Sequence, residues 1–331
     1  MKNRKRVFCL AFAMILLAAN DITVPAAAAD TADTANTEYG GVDSGVGDGS
    51  TAPDTVTNND SDSDKKIAIN NRNFNGLKAF AKKQDTDGDG YLSTDELRKV
   101  FRINDDTNQD GKVDVKITGL GGIENFPNVD SVTLLKYSKS KLTIPKSSSV
   151  RWLTLYDVNT KSLKIDAPGV KSIDLKNKKF SFKGKLKKID ISNCSSLVHF
   201  DNNYCSDYIT QLKLPKQKNN LRSISLYKMK CNTLNLSKYK NLQEVTVLVS
   251  TMKSVNLSKC KKLLYVYFYN CGKLKSVKVN KASKLRHLNW YGCSSLKKSR
   301  VKTAGKGKIA GGKGMYWINT KKYSKFCSSL F

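Results

Sequence analysis

The sequence predicts a mainly β solenoid, with two short strands per coil of 21–22 residues, preceded by a small α-helical module. Three observations carry that expectation. An apolar signature returns at a fixed interval through residues 129–301. A twelve-residue acidic loop with helix-spaced apolar flanks stands before it at residues 85–96. The charge also changes sign along the chain, which separates these parts from an acidic segment at residues 30–64.

The first 29 residues have the form of an export signal. Lys2, Arg4, Lys5 and Arg6 precede an apolar run from Val7 to Ala19, and small residues Ala26 to Ala29 then favour cleavage before Asp30. The apolar run is shorter than the roughly 20 residues a membrane span needs, so a removed signal is expected and no span remains after cleavage. Residues 30–64 hold nine acidic side chains and no Lys or Arg. Such a segment buries too little apolar surface to offset its ordering entropy, and a disordered linker is expected.

Residues 65–117 form the expected calcium module. Asp85, Asp87 and Asp89 stand at positions 1, 3 and 5 of an EF-hand loop, with Gly90 at 6, the Tyr91 carbonyl at 7, Ser93 at 9 and Glu96 at 12. Calcium takes six to eight oxygens, and the glycine permits the turn that aims alternate side chains inward. Phe74, Leu77, Phe80 and Ala81 before the loop, and Leu97, Val100 and Phe101 after it, have helical spacing. A weaker second loop places Asp106, Asn108, Asp110 and the Lys112 carbonyl at positions 1, 3, 5 and 7, but Ile117 stands where a chelating Glu belongs. Its other reading is a turn that launches the next domain.

Residues 118–302 carry the repeats. Leu236, Leu242, Val245 and Val247 recur as Leu257, Leu263, Val266 and Phe268, and again as Val279, Leu285, Leu288 and Trp290. Each unit shows the apolar signature twice, half a period apart, so two strands per coil and a parallel sheet on each broad face are expected. Strand alternation then turns Tyr265, Tyr267 and Tyr269 outward, and the same phase aligns Tyr227, Leu248, Tyr269 and Tyr291. These tyrosines are the candidate ligand face. The other reading is that Tyr is simply a good strand former. Residues 303–331 are expected to cap the array.

The phrases Cys194-Ser195-Ser196-Leu197, Cys271-Gly272-Lys273-Leu274 and Cys293-Ser294-Ser295-Leu296 resemble the C-x-x-L phrase of BspA-like repeats. The passage from Ile117 to Asn128 is similar to the opening repeat of internalin-type arrays. The chain thus resembles secreted bacterial leucine-rich-repeat proteins with an EF-hand ahead of the array. The resemblance implies a leucine-rich-repeat solenoid, secretion or attachment to the cell surface, and adhesion or surface binding. It covers roughly residues 70–300, and the spacing departs from the regular pattern around 176–210.

Composition narrows the partner. The net charge is +30, and residues 118–331 hold 43 Lys and Arg against nine Asp and Glu. A polyanionic wall polymer, a glycan or a surface protein is expected, or retention by charge as a structural wall component with no specific ligand. Export and the lack of a nucleic-acid motif argue against nucleic acid. The only histidines, His199 and His287, fall near outward strand positions, and the array's acidic residues are scattered singly, so no enzyme is expected. Seven cysteines remain after signal removal, an odd number, and recurrence at shared coil positions favours buried thiols.

Overall fold

The computed structural model describes residues 65–178, 184–202, 208–216, 220–280, 285, 287–297 and 301–304. The export signal, the acidic linker and residues 305–331 of the expected cap lie outside the described residues. The described residues all belong to one compact unit, Asp60–Phe331.

The described chain opens with a two-residue strand, Ile67–Ala68, paired antiparallel with Tyr91–Leu92 on the far side of the acidic loop. Two five-residue helices follow the sequence signals. Lys78–Lys82 leads into the loop, and Thr94–Arg98 leaves it. The second helix starts at a capping box: the Ser93 hydroxyl accepts the Glu96 N–H, and the Glu96 carboxylate accepts the Ser93 N–H at 3.0 Å. Phe74, Leu77, Phe80, Ala81, Leu92, Leu97 and Val100 are buried. Phe101 departs from the expected helical flank and is 61% exposed, because the helix ends at Arg98 and the chain becomes extended at Arg102–Asn104.

The module shares its core with the start of the array. The Phe74 and Phe80 rings meet Phe126 at centroid distances of 5.7 and 6.0 Å. Backbone meets backbone beside them: Thr118 N–H donates to Gly76 O, and Gly121 N–H to Asn75 O, both at 3.0 Å. A Cβ at Gly122 would sit 1.9 Å from Asn73 O, and φ there is +85°, so only glycine serves.

From Arg102 onward the chain is a parallel β solenoid with coils of about 22 residues. One nine-stranded sheet takes its strands in chain order: 102–104, 131–135, 152–156, 172–176, 199–201, 223–227, 244–248, 265–269 and 287–291. The intervening strands form two four-stranded parallel sheets, the first at 141–143, 162–166, 188–190 and 211–213, the second at 233–235, 254–257, 276–280 and 301–304. Alternation buries every second residue in most of these strands, and the register stacks those residues. Val245 lies beside Val266 and Leu288, and Val247 beside Phe268 and Trp290. Each buried aliphatic side chain contributes roughly 1.5–3 kcal/mol, but only once a neighbouring coil covers it.

The corner after the nine-stranded sheet is built alike in coil after coil. Lys136, Asp157, Lys228, Val249 and Asn270 adopt φ of 49–52°, and Gly292 of 67°. Each left-handed turn frees an N–H for the next coil: Lys228 donates to Leu248 O at 2.9 Å, Val249 to Tyr269 O at 2.7 Å, and Asn270 to Tyr291 O at 2.8 Å. A β-branched residue is strained there, so Val249 is held by its neighbours. Where the spacing is irregular, buried Asn202 takes the place of an interior leucine beside Leu226. It accepts Tyr227 N–H at 2.8 Å and donates to Tyr227 O at 3.3 Å, which satisfies its amide.

Candidate functional site

The acidic loop brings three carboxylates together. Asp85, Asp87 and Asp89 each offer an oxygen within 4.8 Å of the others. Gly88 and Gly90, at φ of 74 and 83°, permit the turn. The loop backbone orients the carboxylates: Asp85 accepts N–H groups of Gly88 and Gly90, Asp87 that of Asp89, and Asp89 that of Tyr91. Lys66 Nζ lies 2.6 Å from Asp89, and that hydrogen bond, ahead of the Tyr91 N–H, draws the Asp89 carboxyl below its ordinary range.

The remaining loop residues are engaged differently. Glu96 is buried beside the loop, not within the cluster of three. Its carboxylate accepts the Thr86 N–H at 2.6 Å and hydroxyl at 2.7 Å, and the Ser93 N–H and hydroxyl at 3.0 and 2.9 Å. These bonds, Thr86 N–H foremost, bring the Glu96 carboxyl down to about 2. The Tyr91 side chain faces solvent at 46% exposure, in keeping with a backbone role. The donor set suits a hard cation: oxygens only, three of them charged and converging.

The second loop is closed by the protein's own groups. Asp106 is 2% exposed, accepts Gly111 N–H at 3.2 Å, and forms an ion pair with Lys178. Asn108 accepts Asp110 N–H, Asp110 accepts Lys112 N–H, and Lys112 Nζ lies 3.5 Å from Asp110. Asp114 caps Thr107 and Asn108, and those bonds lower its carboxyl pKa. Ile117 is buried in the core, where a twelfth ligand would have to be. Next to the loop, burial pushes the Asp105 carboxyl up to about 6, although it accepts Leu135 N–H at 2.8 Å.

On the nine-stranded sheet the register aligns Tyr227, Leu248, Tyr269 and Tyr291 in one row. Its exposure corrects the expected ladder. Tyr269 is 5% and Leu248 8% exposed, because the row ends at the left-handed corner and Tyr269 stacks on Tyr291 at 5.0 Å. Tyr227, Tyr265, Tyr267 and Tyr291 are half-buried. Tyr265 and Tyr267 lie parallel at 6.4 Å, and Lys228 Nζ sits 5.4 Å from the Tyr227 ring centre. Burial, with Glu244 and Tyr265 adding to it, pushes the Tyr267 phenol up to about 12, so it remains a hydrogen-bond donor.

Two features of this face escaped the sequence reading. Trp152, 51% exposed, shares an outward row with His199, Glu244 and Tyr265, which the strand phase alone could have shown. The acidic residues are also not scattered singly. Asp174 and Asp201 are side by side next to His199, and irregular spacing hides this in the sequence. Burial would lower the His199 pKa, but hydrogen bonding to Asp174 and the charges of Asp174, Asp201 and Glu244 outweigh it and raise it.

Lysines crowd the turns instead. Lys161, Lys187, Lys253 and Lys275 are exposed at turns beside the four-stranded sheets, as are Lys238, Lys240, Lys259 and Lys261. Cys194, Cys231, Cys260, Cys271 and Cys293 are free thiols. Cys194 and Cys260 donate to Ile165 O and Leu236 O, each at 3.4 Å, and burial pushes both thiols up to about 12. Among the described residues no helix is long and apolar enough to cross a membrane. No protein-family model matches this chain, and a search of curated proteins finds no match.

Proposed function

We propose that the chain is an exported, calcium-binding leucine-rich-repeat protein whose array holds a polyanionic or glycan-bearing partner at the cell surface. The carrying observation is the separation of chemistry on its exterior. Half-buried Tyr227, Tyr265, Tyr267 and Tyr291, with exposed Trp152, share one sheet face with hydroxyl and carboxylate residues, while exposed lysines occupy the turns and the outward positions of the four-stranded sheets, such as Lys141, Lys164, Lys188 and Lys278. Aromatic faces stack on sugar rings, and the phenols and hydroxyls offer hydrogen bonds to sugar hydroxyls. Lysine turns supply attraction for phosphate, carboxylate or sulfate groups. In this reading each coil gives one strand to each broad face, and the module is an EF-hand.

Asp85, Asp87 and Asp89 would hold the calcium ion, with the Tyr91 carbonyl, Ser93 and Glu96 as further oxygen donors. Bound there, calcium supplies charge neutralisation that ties the loop together. Because Phe74 and Phe80 pack on Phe126, an ordered module steadies the first coil.

The test is a glycan array that includes anionic wall polymers, probed with the full mature chain and with a Trp152→Ala, Tyr265→Ala, Tyr267→Ala variant of unchanged circular dichroism. Loss of binding in the variant supports the reading, and wild-type binding by it defeats the aromatic face. The lysine turns favour a second reading, retention by charge as a structural wall component. That association would not saturate on a defined glycan and would fade as salt shortens the Debye length to about 10 Å at 0.1 M.

A further inference from the structure

The outward face of the nine-stranded sheet gathers a nitrogen donor and two carboxylates from residues far apart in sequence. We propose that Asp174, His199 and Asp201 form a binding site for a divalent transition-metal ion of the zinc class. It is separate from the all-oxygen acidic loop and does not depend on the partner proposed above.

The geometry comes from strand register. Asp201 pairs laterally with Asp174, and His199 stands two residues earlier on the strand of Asp201, so all three share one face. One ligand atom from each lies within 4.8 Å of the other two, and His199 Nε2 is 3.5 Å from Asp174 Oδ1. A tetrahedral zinc ion with bonds of about 2.0–2.2 Å separates its ligands by about 3.4 Å. Side-chain rotation alone would close the remaining difference. The strand of His199 and Asp201 is bonded on both sides, to 172–176 and to 223–227, so the backbone beneath the three ligands is fixed before any ion arrives.

Electrostatics favours a cation at this point. Two carboxylates on adjacent strands, about 4.8 Å apart at the backbone, repel each other unless positive charge lies between them. Lys176 Nζ stands 3.8 Å from Asp174 at the edge of the cluster, and His199 is the group that lies among the carboxylates. Glu244, in the row of His199, adds further negative charge. The donor set selects among cations. Imidazole with carboxylates suits zinc, manganese and their first-row neighbours, whereas calcium and magnesium take oxygen ligands only. Ser172 and Ser223 beside His199, and Ser225 beside Asp201, line the remaining approach with hydroxyls where bound water can complete the coordination.

The experiment is calorimetric titration of the full mature chain with zinc in excess calcium, which occupies the acidic loop. Wild type is expected to take up one zinc ion. Asp174→Asn with Asp201→Asn, and separately His199→Gln, should weaken uptake by more than about tenfold. Unchanged uptake in the double variant overturns the site, as does the absence of uptake by wild type, which would leave a His–Asp ion pair only. A measurement on unmodified protein guards against misfolded variants. The chain has two histidines, so zinc should shift the ring NMR signals of His199 and not those of His287. Unshifted His199 signals at saturating zinc overturn the proposal.

Discussion

The two loops of the N-terminal module begin with the same spacing and end in opposite states. In the first, Asp85, Asp87 and Asp89 converge at the surface, and Lys66 touches only the last of them. In the second, Asp106 is buried and already has its cation, the Lys178 ammonium, donated from 72 residues further along the array. The difference lies partly in the motif, where Ile117 takes the position that Glu96 holds in the first loop, and partly in what the fold sets against it. The rest of the fold sets Lys178 against the first carboxylate of the second loop and leaves the three carboxylates of the first loop together at the surface. Asp106 ties the start of the array to the coil that carries Lys178, while Asp85 is tied only to its own loop backbone.

Three variants test that contrast, and a fourth sets its scale. Ile117→Glu would complete the second motif on paper, but Ile117 is in the core. It should therefore cost roughly 3–5 kcal/mol, the scale of an uncompensated buried charge, with no recovery on adding calcium. Recovery would mean that the loop can open. Lys178→Met keeps the side-chain length beside the Tyr156 ring and strips Asp106 of its partner. Denaturant unfolding should show a loss of about 3 kcal/mol. Calcium should restore part of it if the second loop is held shut only by Lys178.

Glu96→Gln addresses the first loop. At a hundredfold excess over Kd, calcium stabilises a folded site by about 2.7 kcal/mol, and the variant should lose most of that increment. Equal calcium-induced shifts in melting temperature for wild type and variant would remove Glu96 from the site. Asp190→Asn calibrates the scale. Asp190 pairs with Lys213 at 3.1 Å in a partly exposed setting. Burial opposes ionisation there, but the Ser192 hydroxyl and N–H together with Lys213 bring the carboxyl below its ordinary value. The unfolded chain therefore takes up the proton first as the solution is acidified. The stability Asp190 contributes is present above about pH 4 and is lost as pH falls below it. The variant should flatten that acid limb by less than about 1 kcal/mol.

What was legible in the sequence follows from what is local. The interior rows through Val245, Val266 and Leu288 were legible because strand alternation and coil period repeat within a short window. The three aspartates of the first loop were legible because their convergence depends on one turn. Tyr269 was misjudged as exposed because alternation gives direction but not cover, and its cover comes from Tyr291 and the left-handed corner. Asp174 and Asp201 were missed because 27 positions separate them, against 21–22 between matched residues of this sheet from Ser223 onward, and only the hydrogen-bonded register brings them together. The Asp106–Lys178 pair was invisible for the same reason.

The parallel stacking has a mechanical consequence. Hydrogen bonds between coils point along the direction in which coils accumulate, so tension applied to the two ends of the array acts on them one coil at a time. The core in each coil is complete only with its neighbour present, so a coil that loses its neighbour gives way next. Under a steady pull the array should lengthen in steps, each paying out one coil, roughly 70 Å of chain at about 3.3–3.6 Å per residue. Such a molecule would act as an extensible tether: it would absorb sudden load in instalments and rewind when the load is released. A force trace with one single rupture for all described coils would show instead that the array yields as a block.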